Sequence, residues 1–190
     1  MVKRPIHPFP SAADLMQRID PTSRVFAKLD AIHGYFQIPL DEESSMLTTF
    51  LLPSGRYRYT GAPMGPNASS DEFCRRTDEP MEGLPYLLKI VDDMLIPARD
   101  TNELFFRVRE VLTRCREAGI KISTEKFVIG TEIKFAGFII NETGVKPDPA
   151  KLQAIQAFPM PKSVCNDASG HKRHVMHSMI QETRESIFLF

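Results

Sequence analysis

The chain has 190 residues, 42% hydrophobic and 25% charged, with 24 Lys+Arg against 24 Asp+Glu. That length suits one domain of roughly 150 residues with an appendage, and the apolar share argues against wholesale disorder. A net charge of zero argues against a histone-like or polybasic protein but leaves room for a local basic groove.

Residues 1–24 open with Pro5 and the prolines of IHPFP. Proline lacks an N–H and restricts the residue before it, so an extended opening segment is expected. SAADLMQRI predicts a short helix capped by Ser11 and stopped by Pro21. In RVFAKLD, Val25, Ala27 and Leu29 alternate with Phe26 and Lys28, the pattern of a strand ending at Asp30. TTFLLPSGRYRYT sets the turn residues PSG between two β-forming runs. It predicts a hairpin with Tyr57 and Tyr59 on one face and Arg56 and Arg58 on the other. GAPMGPNA reads as a loop. SSDEFCRRTDEPMEGL then reads as a helix entered through Asn67 or Ser69 and broken at Glu79, ahead of a proline.

YLLKIVDDMLIPA has two apolar runs around an acidic pair, predicting a tight hairpin with Asp92 and Asp93 at its bend. The strongest helix follows, with Leu104, Phe105, Val108, Val111, Leu112 and Cys115 at helical spacing. Asp100 is its expected N-cap and Gly119 the residue past its end. KIST and then IKFAGFIIN predict further strands, turned around by NETG. DPAKLQAIQAFP predicts a last helix with Asp148 as N-cap, Pro149 in its first turn, and Leu152, Ile155 and Phe158 inward. Residues 163–190 differ in character, and their Cys165, His171, His174 and His177 do not match a zinc-knuckle spacing. A frame-shifted or readthrough tail is the simpler reading. The order of elements predicts an α+β sheet with helices on one face.

Three scattered cysteines, Cys74, Cys115 and Cys165, read as reduced intracellular thiols rather than a disulfide framework. No apolar run approaches the roughly 18 residues that span a bilayer. The opening MVKRPIHPFPSAADLM also lacks a continuous apolar core, so neither a membrane partner nor a secretory signal is expected. The default expectation is an intracellular, cytoplasmic protein of undetermined oligomeric state.

The informative feature is acidic. Asp30 ends one strand, and Asp92 and Asp93 lie between two more apolar runs. An isolated buried charge costs several kcal/mol, and adjacent aspartates repel each other. A divalent ion relieves both problems, and two ions roughly 3.5–4 Å apart suit phosphoryl transfer. Taken alone, the pair Asp92–Asp93 reads first as a turn, which aspartate favours.

The surrounding residues go further. FAKLDAIHGYFQIPLDEE resembles the first catalytic block of the reverse transcriptases of gypsy-type LTR retrotransposons. In that block an Asp ends a palm strand, followed by a GYxQI segment and a PLDE turn. LPSGRYRYTGAPMGPNAS is similar to the family's hairpin and its MPFGLxNAP loop, and KIVDDML to its YxDD block. EAGIKIS, STEKF and KFAGFIINETGVKPDPAKLQAIQAFPMPK resemble the palm end, the primer grip and the start of the thumb. The resemblance is collinear over residues 3–162.

It implies a right-hand polymerase palm, an antiparallel, ferredoxin- or RRM-like sheet with helices on one face. Partial fingers and palm would occupy residues 1–162 without a thumb, and 163–190 would be a divergent tail. The implied activity is RNA-directed DNA polymerisation with two Mg²⁺ ions, or Mn²⁺. The implied partners are an RNA or DNA template with its primer, and deoxynucleoside triphosphates. Asp30 and Asp92 match the bridging metal ligands, Asp93 the third carboxylate, and the Ala31 carbonyl would complete the site. Tyr35 matches the aromatic gate against a ribose 2′-hydroxyl, and Gly34 lets the backbone pass beneath the nucleotide. Met64 and Gly65 match the loop under the incoming nucleotide, and Lys126 a lysine near the triphosphate. Phe135, Ala136, Gly137 and Phe138 match the primer grip.

The sequence also departs from the pattern. Ile90 stands where the family usually has Tyr, Met64 replaces an aromatic, and Pro66 and Ala136 each replace a Leu. The family's upstream fingers block is also expected to be missing. These departures lead to the expectation that this fragment alone is weak or inactive as a polymerase, and keep an alternative open: a catalytically inactive, truncated remnant that at most binds nucleic acid or a protein.

Overall fold

The structure, a computed structural model, describes residues 11–150 and residue 153. Helix α1 (Ala12–Gln17) is capped by Ser11, whose hydroxyl accepts the Asp14 N–H. Strand β1 (Val25–Asp30) ends at Asp30 as expected, and a short 3₁₀ turn covers Gly34–Gln37. The PLDE segment is the start of a helix rather than a turn. Asp41 accepts the Ser44 N–H and so caps α2 (Glu42–Leu47). β2 (Phe50–Leu52) and β3 (Gly55–Tyr57) form the expected hairpin. α3 (Asn67–Asp78) starts directly after Pro66 and stops before Glu79. β4 (Leu88–Ile90) and β5 (Asp93–Ala98) lead into α4 (Thr101–Glu117), where Asp100 accepts the Glu103 N–H. β6 (Val128–Gly130), β7 (Glu132–Phe135), β8 (Phe138–Asn141) and β9 (Gly144–Pro147) complete the described strands.

The main sheet runs β4-β5-β1-β6, with antiparallel neighbours. Alternation along the central strands divides the core in two. Ala27 and Leu29 of β1, with Met94, Ile96 and Ala98 of β5, face α4 through Leu104, Val108, Val111 and Cys115. On the opposite face, Phe26, Leu88 and Leu95 pack with Leu15 and Met16 of α1 and with Ile133, Phe135 and Ile140. The last three belong to β7 and β8 of a second sheet, β7-β8-β9. Phe26, Leu29, Leu95 and Ile96 have no exposure left, and burying each such side chain contributes about 1.5–3 kcal/mol. The long helix thus backs one face, while α1 and the small sheet close the other.

Three local expectations are corrected. The β4–β5 bend is Val91–Asp92, because Asp93 already pairs with Ile90 as the first residue of β5. KIST is not a strand. Ile122 makes a single bridge to Ala31, and the strand beside β1 is instead Val128–Gly130. IKFAGFIIN is folded in two by Ala136 and Gly137, at φ 50° and 90°. That is a two-residue turn of the kind that follows strand twist. NETG supplies the next turn, into β9.

The chain divides into a unit ending at Lys146 and a second beginning at Pro147. The Ala150 N–H donates to Asp148 Oδ1 at 3.1 Å, the cap expected there. The rest of the expected last helix, the opening residues 1–10 and the 163–190 tail lie outside the described residues. No described helix is long and apolar enough to cross a membrane.

Candidate active site

Asp30 closes the central strand, and its main chain is fixed on both sides. Its carbonyl accepts the Ser123 N–H at 2.8 Å, and the next residue, Ala31, donates to the Asp92 carbonyl at 3.0 Å. Asp93 lies directly opposite Asp30 in the β1–β5 ladder. Lys28, two residues before Asp30, falls on the same sheet face. Each of the two facing carboxylates has an ammonium group beside it. Lys126 Nζ lies 2.9 Å from Asp30 Oδ1, and Lys28 Nζ lies 3.1 Å from Asp93 Oδ1. The second contact is off the hydrogen-bonding direction, since Asp93 Oδ1 is buried without a hydrogen bond. Its charge is nonetheless paired.

Among the described residues, Asp92 has no such partner. The residue before it, Val91, has a φ of 50°, an outlier for a β-branched residue that costs of order 1–3 kcal/mol. Val91 is held there by packing against the cluster of Ala31, Ile38, Ala62 and Phe73. The bend turns the Asp92 side chain inward, where Oδ1 is buried with no hydrogen-bond partner. Burial holds its carboxyl above the ordinary carboxylate range, and the charges of Asp30 and Asp93 push the same way. Lys89 and Lys126 oppose the shift. Lys89 is itself well buried, paired to Asp78 at 2.7 Å and bonded to the Thr77 hydroxyl. The hydrogen bond from Lys126 to Asp30, and then the Asp30 charge, raise the pKa of that lysine.

This donor set fits a hard divalent cation. It offers oxygen atoms only, which suit Mg²⁺ or Mn²⁺, and the orphaned Asp92 Oδ1 is an atom that such an ion would satisfy. Among the described residues, no three His, Cys, Asp or Glu side chains already form a metal cage. The two lysines hold Asp30 and Asp93 instead.

The other expected residues fall around this cluster. Tyr35 is half-buried, edge-on to the Phe73 ring at 5.8 Å, with its hydroxyl 3.4 Å from Ser70 Oγ. Met64 is exposed, and Gly65 has open space beside it, in the loop before α3. Phe135 is a core side chain, so only the Ala136–Gly137 turn and the half-buried Phe138 remain for contact with a ligand. Among the described residues, no hydrogen bond or ion pair links Met64, Gly65 or Phe135–Phe138 to the carboxylates.

Two residues escaped sequence reasoning. The Gln37 side-chain amide donates to the carbonyls of Ile32 and Lys121 and accepts the Lys121 N–H at 2.8 Å. It thereby pins the loop after Asp30 to the segment beside it. Its place in GYFQI was a usable signal. Lys28 was read only as a polar position in an alternating strand, and its pairing with Asp93 depends on a partner far along the chain.

The fold is an antiparallel polymerase palm with part of the fingers, carrying three carboxylates at one end of its central strands. Residues 2–140 match the family described as reverse transcriptase (RNA-dependent DNA polymerase), and the chain belongs to that family. Members of this family usually need divalent metal ions. The chain is 29% identical over 175 residues to the retrovirus-related Pol polyprotein from transposon 412 of Drosophila melanogaster, covering 88% of this chain and 13% of that protein. It is 30% identical to the Pol polyprotein from transposon gypsy of the same organism, covering 83% of this chain and 16% of that protein. The enzymatic polyprotein of cauliflower mosaic virus is also 30% identical, over 72% of this chain and 20% of its own length. The chain therefore spans under a quarter of each of these relatives. Among solved structures, a foamy viral protease–reverse transcriptase in complex with double-stranded DNA superposes with a TM-score of 0.77 at 20% identity. That match covers 84% of this chain and 28% of the other. A complex of the foamy viral enzyme with an RNA/DNA hybrid gives 0.71 at 21% identity, covering 80% and 21%.

Proposed function

We propose that the chain is the palm and partial fingers of an RNA-directed DNA polymerase from a retrotransposon Pol polyprotein. It would extend a primer on an RNA or DNA template, joining the primer 3′-oxygen to the α-phosphorus of a deoxynucleoside triphosphate and releasing pyrophosphate. The observation that carries this reading is Asp92, whose buried, unpartnered oxygen lies beside Asp30 and Asp93 where the catalytic blocks of the family match. Asp30, Asp92 and Asp93, with the Ala31 carbonyl, would hold two Mg²⁺ ions, for which Mn²⁺ could substitute. When bound, such ions neutralise phosphate charge and acidify the attacking hydroxyl.

The chain's own groups do the positioning, on which phosphoryl transfer mainly depends. Lys126 is the cation best placed to move from Asp30 to a triphosphate. Tyr35, braced by Phe73 and Ser70, would close the sugar site against a 2′-hydroxyl. Met64 and Gly65 would lie under the incoming nucleotide, and the Ala136–Gly137 turn would meet the primer. The same proposal assigns residues 1–162 to palm and fingers, leaves 163–190 outside them, and sets the protein in the cytoplasm.

The test pairs binding with activity. Mg²⁺ should raise the melting temperature of the wild-type chain, as any native-state ligand does, and leave Asp92→Asn unmoved. Any extension of oligo(dT) on poly(rA) that the wild-type chain shows should likewise be lost in Asp92→Asn. A substituted chain that responds to Mg²⁺ like the wild type would remove the basis of this reading.

A further inference from the structure

We propose that Lys28 is a resident counter-cation of this site, which keeps Asp93 charge-paired in the absence of metal and competes with a divalent ion for that carboxylate. The inference rests on the reading of Asp30, Asp92 and Asp93 as metal ligands.

The two lysines at the site are not equivalent. Lys126 is a surface arm, with 65% of its side chain exposed. Its partner Asp30 is only 16% exposed and accepts a hydrogen bond from it at 2.9 Å, but the lysine arm itself stands in solvent and has water to turn to. Lys28 is built into the fold. Its backbone sits in the central strand, opposite Leu95 on one side and Val128 on the other. The Lys28 side chain is only 24% exposed, and its partner Asp93 only 31%. The contact is a diagonal one across the ladder, since Lys28 precedes Asp30 by two residues and Asp30 is the residue opposite Asp93. The ladder fixes the Lys28 backbone, so the ammonium can leave Asp93 only by a change of side-chain rotamer.

Three carboxylates gathered without metal repel one another, and a fixed ammonium group offsets part of that repulsion. The same charge opposes a divalent ion on Asp93. Repulsion between a monovalent and a divalent cation sharing one carboxylate, screened as in water, is worth roughly tenfold in affinity. Removing the lysine should therefore act in two directions at once. The metal-free protein becomes less stable, while the ion binds more tightly. A lysine that merely supported the strand would lower stability and bring no gain in affinity.

The experiment is a calorimetric Mn²⁺ titration of the 190-residue chain, with melting temperatures measured in parallel. Lys28→Met should melt below wild type without metal and bind Mn²⁺ roughly tenfold more tightly. Lys28→Arg, which keeps the charge, should behave as wild type. If Lys28 acts through Asp93, adding Lys28→Met to Asp93→Asn should change affinity by no more than about twofold. Lys28→Gln serves the same purpose should the Met variant fail to fold. Unchanged or weaker Mn²⁺ binding on loss of the charge overturns the proposal, as does an equal gain in the Asp93→Asn background. A wild-type chain that binds no Mn²⁺ overturns the proposed function itself, and this inference with it.

Discussion

The Cα of Gly34 lies against the carboxylate of Asp92. A Cβ built on Gly34 would meet Asp92 Oδ1 at 2.5 Å and the Phe73 ring at 2.9 Å. The glycine thus makes room for a buried carboxyl group, a contact that the sequence did not reveal. Gly34→Ala should force Asp92 or Phe73 to shift, destabilising the chain by about 1–3 kcal/mol and weakening Mg²⁺ binding. Thermal melts with and without Mg²⁺ check this. An alanine variant indistinguishable from wild type in both would show that the contact is slack.

Asp92 should give the metal-free protein a distinctive pH dependence. Its pKa is raised on folding, first by burial and then by Asp30 and Asp93. The folded state therefore holds that proton more tightly than the unfolded chain. The resulting stability is complete below the ordinary carboxylate value of 3.8 and is lost as pH rises through the raised value. Asp92→Asn removes this loss, so the variant should gain on wild type as pH climbs, and melt higher near neutrality. Each kcal/mol recovered corresponds to about 2–4 °C for a chain of this size. Melting curves recorded in chelator between about pH 3.5 and pH 7.5 provide the measurement. Parallel pH profiles for the two proteins would contradict the assignment.

Tyr35 should report on sugar choice. Its ring is fixed edge-on to Phe73 and its hydroxyl approaches Ser70, so the side chain cannot easily swing aside. In primer extension, Tyr35→Ala should raise ribonucleotide incorporation by roughly tenfold or more, because exclusion by a steric clash disappears with the ring. Tyr35→Phe should keep the discrimination. Unaltered sugar selectivity in the alanine variant would reduce Tyr35 to a packing role.

The β7–β8 turn can be improved. Ala136 has a φ of 50°, a conformation asparagine tolerates better than alanine, and Asn-Gly is the favoured pair for such a turn. Ala136→Asn should stabilise by about 0.5–1 kcal/mol, and Gly137→Ala should destabilise. Denaturant melts read both, and a destabilised Asn variant would show that the small side chain of Ala136 is required by its packing.

Much of the frame could be read locally. The caps Ser11 and Asp100, the strand ending at Asp30 and the PSG hairpin each depend on residues within one element. Such short-range chemistry acts the same way in isolation as in the fold. The elements that were missed are those whose partners lie far along the chain. β6 has two exposed apolar residues, Val128 and Ile129, and is a strand only because β1 offers it an edge. KIST looks more strand-like, yet Ile122 has only Ala31 to pair with. The three carboxylates were legible through their setting. Which of them would be paired was not, because Lys28 and Lys126 reach them by sheet register and loop placement.

That register has a consequence for how the gene can change. Asp30 and Asp93 keep their separation through ladder hydrogen bonds, not through the length of the intervening polypeptide. Insertions or deletions in the β2–β3 hairpin or ahead of α3 would leave the two acids facing each other. The Val91–Asp92 bend has no such freedom, because it joins Ile90 directly to its partner Asp93. One residue more or fewer there would break the Ile90–Asp93 closing pair and displace Asp92, which stands in the bend itself. A library of single-codon indels across the reading frame should therefore be forgiving over the long excursion and lethal to metal binding within the two-residue bend.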